Sequence, residues 1–288
     1  MLASVATTWN LEPLQIVPTA TVAILYLRRT RTLARRGLPV PVWRRLLFWL
    51  GIALVLVALN SPLDAIGEQD FFFAHMSQHV IIGDLAPLCF VAGLTGPVLR
   101  PVLALKPVER LRFLTHPLVA LPVWAVNLYV WHLPVLYQAA LHHSAVHALE
   151  HFMFFTCGAL MWATVLEVLP APEWFGTGFK LGYIVIVRAF DTILGNVFLW
   201  SGGIFYGVYN HAPRWGISPH ADQGIAGGIM MIEGSIVTLA ALAWLFLRLA
   251  QEGELRQQLL EQGVDPRAAA RAVRYGRGHE LSQLPGPR

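Results

Sequence analysis

The sequence predicts an all-α integral membrane protein, a bundle of seven transmembrane helices with its N-terminus outside and its C-terminus cytoplasmic. Three observations predict it. Of 288 residues, 56% are hydrophobic and only 13% charged, against roughly 25% charged in an ordinary soluble domain. The apolar residues gather in long stretches, as needed where roughly 20 residues must cross the hydrocarbon as a helix. Lys and Arg cluster between those stretches rather than within them.

The expected spans are Leu11 to Leu27, Leu46 to Leu59, His75 to Leu94, Leu118 to Tyr137, Val146 to Val168, Leu181 to Phe205 and Ile225 to Leu247. The breaks "NSPLDAIGEQD", "GLTGPVLRPVLALKPVERLRFLTHP", "LPAPEWFGTG" and "NHAPRWGISPHADQG" are rich in Pro, Gly and charge, the usual punctuation between helices. The first stretch ends in "RRTRTLARR" with no small-residue cleavage pattern, and "MLASVATTWN" lacks a basic n-region. It therefore reads as a retained span rather than a signal peptide.

Orientation follows from Lys and Arg, which favour the cytoplasmic side. Seven arginines from Arg28 to Arg45 occupy the first loop, and Arg100, Lys106, Arg110 and Arg112 the third. Lys180 lies in the fifth, and seven arginines run from Arg248 to Arg288. With seven spans, these 19 of 21 basic residues share one face. Arg214 falls in an outer loop and Arg188 inside a span. Residues 1–250 read as the membrane domain, and 251–288 as a basic cytoplasmic tail with a short interfacial helix followed by disorder. A membrane is the expected location, the lipid bilayer is the surrounding partner, and no nucleic acid is expected.

Nine of eleven histidines then fall on the outer side, although only Lys and Arg were used to assign it. His75 and His79 sit four apart at the start of the third span, and His147 and His151 four apart at the start of the fifth. On a helix that spacing places both rings on one face. Imidazole suits copper, zinc, iron and nickel when several donors converge in a dry, shaped place. His132 lies at comparable depth. Met76, Met153, Met230 and Met231 add soft thioethers, which favour Cu(I), and Asp222 stands beside them as a further supporting ligand. His142, His143, His211 and His220 read as interfacial polar groups. Cys89 and Cys157 lie in apolar runs without a CxxC motif, so they read as core residues rather than a disulfide or thiolate site.

A second polar layer lies deeper. Asp84, Arg188, Asp191 and Glu233 each sit about eight to ten residues into a span, near mid-membrane at roughly 1.5 Å per residue. Charges there are costly, and usually paired and functional. Arg188 and Asp191 are spaced to pair on one helix. The layer reads either as polar glue between helices or as an inward path for ions or protons. Several functions fit these residues: a copper-binding accessory protein, a bis-histidine haem protein taking one ligand from each HxxxH pair, or an ion transporter using the deep layer.

Four ordered blocks, "AHMSQHVIIGDLAPLCFVAGLTGP", "WHLPVLYQAAL", "HALEHFMFFTCGALMW" and "DQGIAGGIMM", resemble the signature blocks of the CtaG family of bacterial membrane proteins, assembly factors for caa3-type cytochrome c oxidase. The beginning, through "FWLGIALVLVALNSPLD", resembles the family's first two spans. The resemblance covers about Trp9 to Arg248. It implies a seven-span, non-enzymatic accessory chaperone of the bacterial plasma membrane that matures the oxidase, with oxidase subunits as partners, through copper delivered on the outer side. By motif, the family's blocks fall on His75, Met76, Gln78 and His79, on Trp131 and His132, on His147, Glu150 and His151, and on Asp222, Gln223 and Met230. One departure is visible: where the family pattern suggests "MWVPG", this chain reads "MMIEG", with Met231 and Glu233. The family also includes copper-uptake relatives, so copper handling without an oxidase client remains open.

Overall fold

The computed structural model describes residues 9–10, 13–169, 171–210, 215–274, 276 and 278. Those residues form helices and connecting turns, with no strand among them. The chain divides into two compact units, residues 1–171 with 189–234, and residues 172–188 with 235–288.

In the first unit α1 (Pro13–Arg35) leads to α2 (Val42–Asn60) and the short α3 (Pro62–Gln69). Ser61 starts α3: its hydroxyl accepts the Leu63 amide, and Pro62 occupies the first turn, where a missing N–H costs nothing. The next rod runs from Phe72 to Ala92 as α4 (Phe72–Val80), a π-helical turn (Ile81–Leu85) and α5 (Ala86–Ala92). Pro87 causes the π turn. It has no N–H to give the Gly83 carbonyl and its ring crowds that oxygen, so the ladder widens and the Ala86 amide reaches Ile81 instead.

α6 (Gly96–Leu103) turns away from that rod by 105°. α7 (Lys106–Arg110) and a 3-10 turn (Leu111–Thr115) then meet α8 (Pro117–Trp131) at 82°. The expected fourth span, Leu118 to Tyr137, is interrupted. Leu133 is extended because Pro134 follows it, so α8 stops at Trp131, and α9 (Pro134–His142) is a separate helix. α10 (Ser144–Val165) packs on both α8 and α5. Gly158 makes the second contact close: a Cβ there would run into the Gly83 carbonyl and press on the Pro87 ring.

α11 (Thr177–Trp200) and α12 (Pro219–Glu261) each run from one unit into the other. α11 ends before Gly202 and Gly203, so the expected sixth span stops short of Phe205. In the second unit, Thr177 donates to Glu252, which also pairs with Arg248. α12 continues past residue 250 to Glu261, and α13 (Pro266–Arg274) follows; Leu259, Ala269 and Ala272 bury one another there. Residues 279–288 of the expected tail lie outside the described residues, as do His211 and Arg214.

Among the described residues four helices, α2, α10, α11 and α12, are long and apolar enough to cross a membrane. The number rises to six if each bent pair counts as one span. The expected first span corresponds to α1, whose last two turns carry Arg28, Arg29, Arg31 and Arg35. Where the chain turns between α5 and α6, Arg44 donates to the Ala92 and Leu94 carbonyls and Arg29 to that of Pro97. Arginine thus gathers at the end of the α4–α5 rod opposite His75.

Candidate metal centre

The two HxxxH helices are neighbours. α4 brings His75 and His79, and α10 brings His147 and His151, to one buried cluster with His132. Ring centroids lie 4.3 Å apart for His75 and His79, 4.1 Å for His147 and His151, 5.4 Å for His75 and His147, 5.6 Å for His79 and His151, and 5.9 Å for His79 and His132. The equal spacing on both helices puts each pair on one face.

A tighter group lies within this cluster. One donor atom from each of His75, His79, Glu150 and His151 can be chosen so that all lie within 4.8 Å of one another. Donors about 2.0–2.1 Å from a central ion stand at most about 4 Å apart, so closure on a metal needs a contraction of about 1 Å. The Nε2 atoms of His75 and His79 approach to 2.8 Å, and His79 Nε2 lies 3.7 Å from a Glu150 oxygen.

The donor chemistry fits a cation. His75 Nδ1, His79 Nδ1, His132 Nε2, His147 Nε2, His151 Nε2 and both Glu150 oxygens are buried without a hydrogen-bond partner. Unmet buried polar atoms cost about 1–3 kcal/mol each. A cation accepting lone pairs from these residues relieves that cost, and a carboxylate among imidazoles lowers the charge it brings.

The surrounding residues fix the donors. His132 donates from Nδ1 to the Leu128 carbonyl at 2.6 Å, which sets its tautomer and leaves Nε2 bare. His147 Nδ1 pairs with Glu68 at 2.7 Å. Gln78 donates to Asp64 and to the Ala58 carbonyl, fastening α4 between its own two histidines. Tyr137 packs 5.1 Å from His75, stacks on Tyr206 at 3.9 Å and shares a hydrogen bond with Tyr209, whose hydroxyl also donates to the Gly67 carbonyl. Burial above all, with the acids Asp222, Glu150 and Glu68 nearby, pushes the Tyr209 hydroxyl up, so it stays a neutral donor.

Asp222 has a different task from the ligand role expected of it. Its two oxygens accept the Phe72 and Phe73 amides, each at 2.8 Å, at the N-terminus of α4, where a negative charge meets the positive end of the helix dipole. Gln223 beside it holds the turn after α11 through Phe205, Ser201 and Gly203. Met76 and Met230 are buried in the apolar cluster of Phe72, Phe154 and Phe198. The candidate donor that the sequence placed only within a motif is Glu150. Its signal was its position three after His147, which places it on the ring-bearing face.

The deep layer divides. Asp84 accepts a hydrogen bond from Trp162 Nε1 and is hydrogen-bonded to Glu233. Arg188 donates to Ser235 in the second unit. Asp191 is half-buried on α11.

Helices and site together define a helical membrane protein built around a buried histidine and carboxylate centre. The chain belongs to the cytochrome c oxidase caa3 assembly factor family (Caa3_CtaG), whose profile matches residues 24–252. Two curated relatives, uncharacterized proteins of Mycobacterium bovis and Mycobacterium tuberculosis, are each 24% identical over 250 residues. The match covers 79% of this chain but only 37% of each relative, so the chain spans little more than a third of their length. No solved structure matches.

Proposed function

We propose that this protein is a non-enzymatic accessory factor that binds copper in the plasma membrane and hands it to cytochrome c oxidase subunits during assembly. The observation that carries the copper reading is the convergence of three imidazoles and Glu150 within 4.8 Å, in a buried place where His75 Nδ1, His79 Nδ1, His151 Nε2 and both Glu150 oxygens lack hydrogen-bond partners. His147 and His132 stand against that group. Imidazole is a borderline ligand suited to copper; Cu(I), the form expected from the thioethers, rests on Met76 and Met230, which lie in the adjoining apolar cluster. The family supplies the oxidase context.

The same reading takes α1 as the first of seven spans, with the N-terminus outside and residues 251–288 on the cytoplasmic face. The arginines at the far end of the α4–α5 rod support that orientation. Haem fits less well. A porphyrin must slide between two opposed imidazoles, whereas these rings pack on one another, on Tyr137 and on Phe154.

The test is metal content and absorption of the purified protein, with and without copper loading, beside a variant with His75, His79, His147 and His151 all changed to alanine. Stoichiometric copper lost in that variant, with no Soret band, is the expected result. A Soret band, or copper retained by the variant, defeats the proposal.

A further inference from the structure

The buried centre has one carboxylate leading outward. Glu68, on α3, pairs with His147 Nδ1 at 2.7 Å, and its side chain is 36% exposed while that of His147 is 9% exposed. The opposite nitrogen, His147 Nε2, is buried and without a hydrogen-bond partner. The His147 ring stacks 5.4 Å from His75 and lies 4.1 Å from His151, two members of the four-donor group to which it does not itself belong. His147 therefore touches the centre on one side and a solvent-reaching carboxylate on the other.

Local structure holds this arrangement. Gly67 lets α3 lie directly on α4, because a Cβ there would stand 2.9 Å from the backbone of His75. The Gly67 carbonyl is itself held by Tyr209. Asp64, one turn before Glu68 on the same face, is engaged by Gln78. Glu68 is thus the α3 carboxylate that both reaches solvent and meets a histidine of the cluster.

Resting on the copper reading above, the geometry points to Glu68 and His147 as a transfer station at the mouth of the centre. An ion arriving from outside is first held by the Glu68 carboxylate and the His147 imidazole, then passes by stepwise ligand exchange to His75 and His151, and leaves by the reverse route. The arriving ion takes the place of the proton between Glu68 and His147 Nδ1; that proton leaves to the outer medium and returns when the ion moves on, and no other bond changes but those to the metal. Such a station lowers the barrier to exchange without setting the final affinity, since the four-donor group holds the ion at the end.

The test uses the full-length protein in detergent, loaded with one equivalent of Cu(I). Equilibrium competition with a chromogenic Cu(I) chelator gives affinity, and stopped-flow mixing gives the rates of loading and release. The variants are Glu68→Gln, which keeps the shape, and Glu68→Ala, with Glu109→Gln as an exposed carboxylate elsewhere. A transfer station predicts that both Glu68 variants load and release about tenfold more slowly, a barrier change of ~1.4 kcal/mol, while affinity moves less than about threefold. A carboxylate that merely orients His147 would instead cost about 10–100-fold in affinity. That result, unchanged rates, or faster exchange overturns the station. Wild-type protein that holds no copper overturns both readings, whereas copper lost on mutating the four histidines, with wild-type exchange in the Glu68 variants, overturns this one alone.

Discussion

Glu150 is the residue on which the centre's charge turns. It is fully buried among imidazoles, and neither of its oxygens has a hydrogen-bond partner. Replacing it with glutamine keeps the shape and removes the charge that a cation would neutralise. Glu150→Gln is expected to weaken copper binding by at least about tenfold while leaving thermal stability equal or higher, because a buried carboxyl whose oxygens accept no hydrogen bond is costly. Chelator competition and a melting curve check the two halves separately. Asp222 gives the opposite signature. Loss of its two amide contacts in Asp222→Ala removes a helix cap worth about 1–2 kcal/mol, so the melting temperature should fall, and copper affinity with it, through displacement of α4. The HxxxH pairs were legible because i and i+4 on a helix share a face whatever surrounds them. Glu150 was harder to see as a ligand, since an acid beside histidines also reads as an ordinary polar neighbour. Asp222 was read as a ligand because its actual partners, Phe72 and Phe73, lie about 150 positions away in sequence.

At the scale of elements, the contact between α10 and the α4–α5 rod decides whether the two histidine pairs meet. That contact depends on Gly158 lying against the Gly83 carbonyl, beside the π turn forced by Pro87. Gly158→Val should force the helices apart, destabilise the protein by about 1–3 kcal/mol as overpacking does, and weaken copper binding without touching a ligand. Melting curves and chelator competition on the purified variant are the measurements. The existence of most helices was legible from apolar runs of span length. The break at Leu133 was signalled by Pro134, but an otherwise apolar run through Tyr137 outweighed it. The adjacency of α4 and α10 was not legible, because periodicity states which face a residue occupies and not which helix it meets.

For the whole molecule, the arginine distribution and the position of the centre make one prediction about topology. After replacement of Cys89 and Cys157, a cysteine at His143 should react with a membrane-impermeant maleimide in intact cells, and one at Arg267 only after lysis. The reverse pattern would invert the proposed orientation and put the centre on the cytoplasmic side. The all-helical, apolar character of the fold was legible from composition. A short helix after residue 250 was legible, but its continuity with the last span to Glu261 and the helix Pro266–Arg274 were not, because a polar, arginine-rich segment reads as a solvated tail whether or not it folds on neighbours.

The crossing at Gly158 also works as a fulcrum. His151 stands seven residues from it along α10, a lever arm of about 10 Å at 1.5 Å per residue. A tilt of about 10° at the pivot swings the His151 end by about 2 Å, more than the contraction needed to close the donor group on an ion. On the copper reading, closing the donor group on an ion would need only a small rocking of two intact rods, with no helix unwound and no side chain turned out of the core.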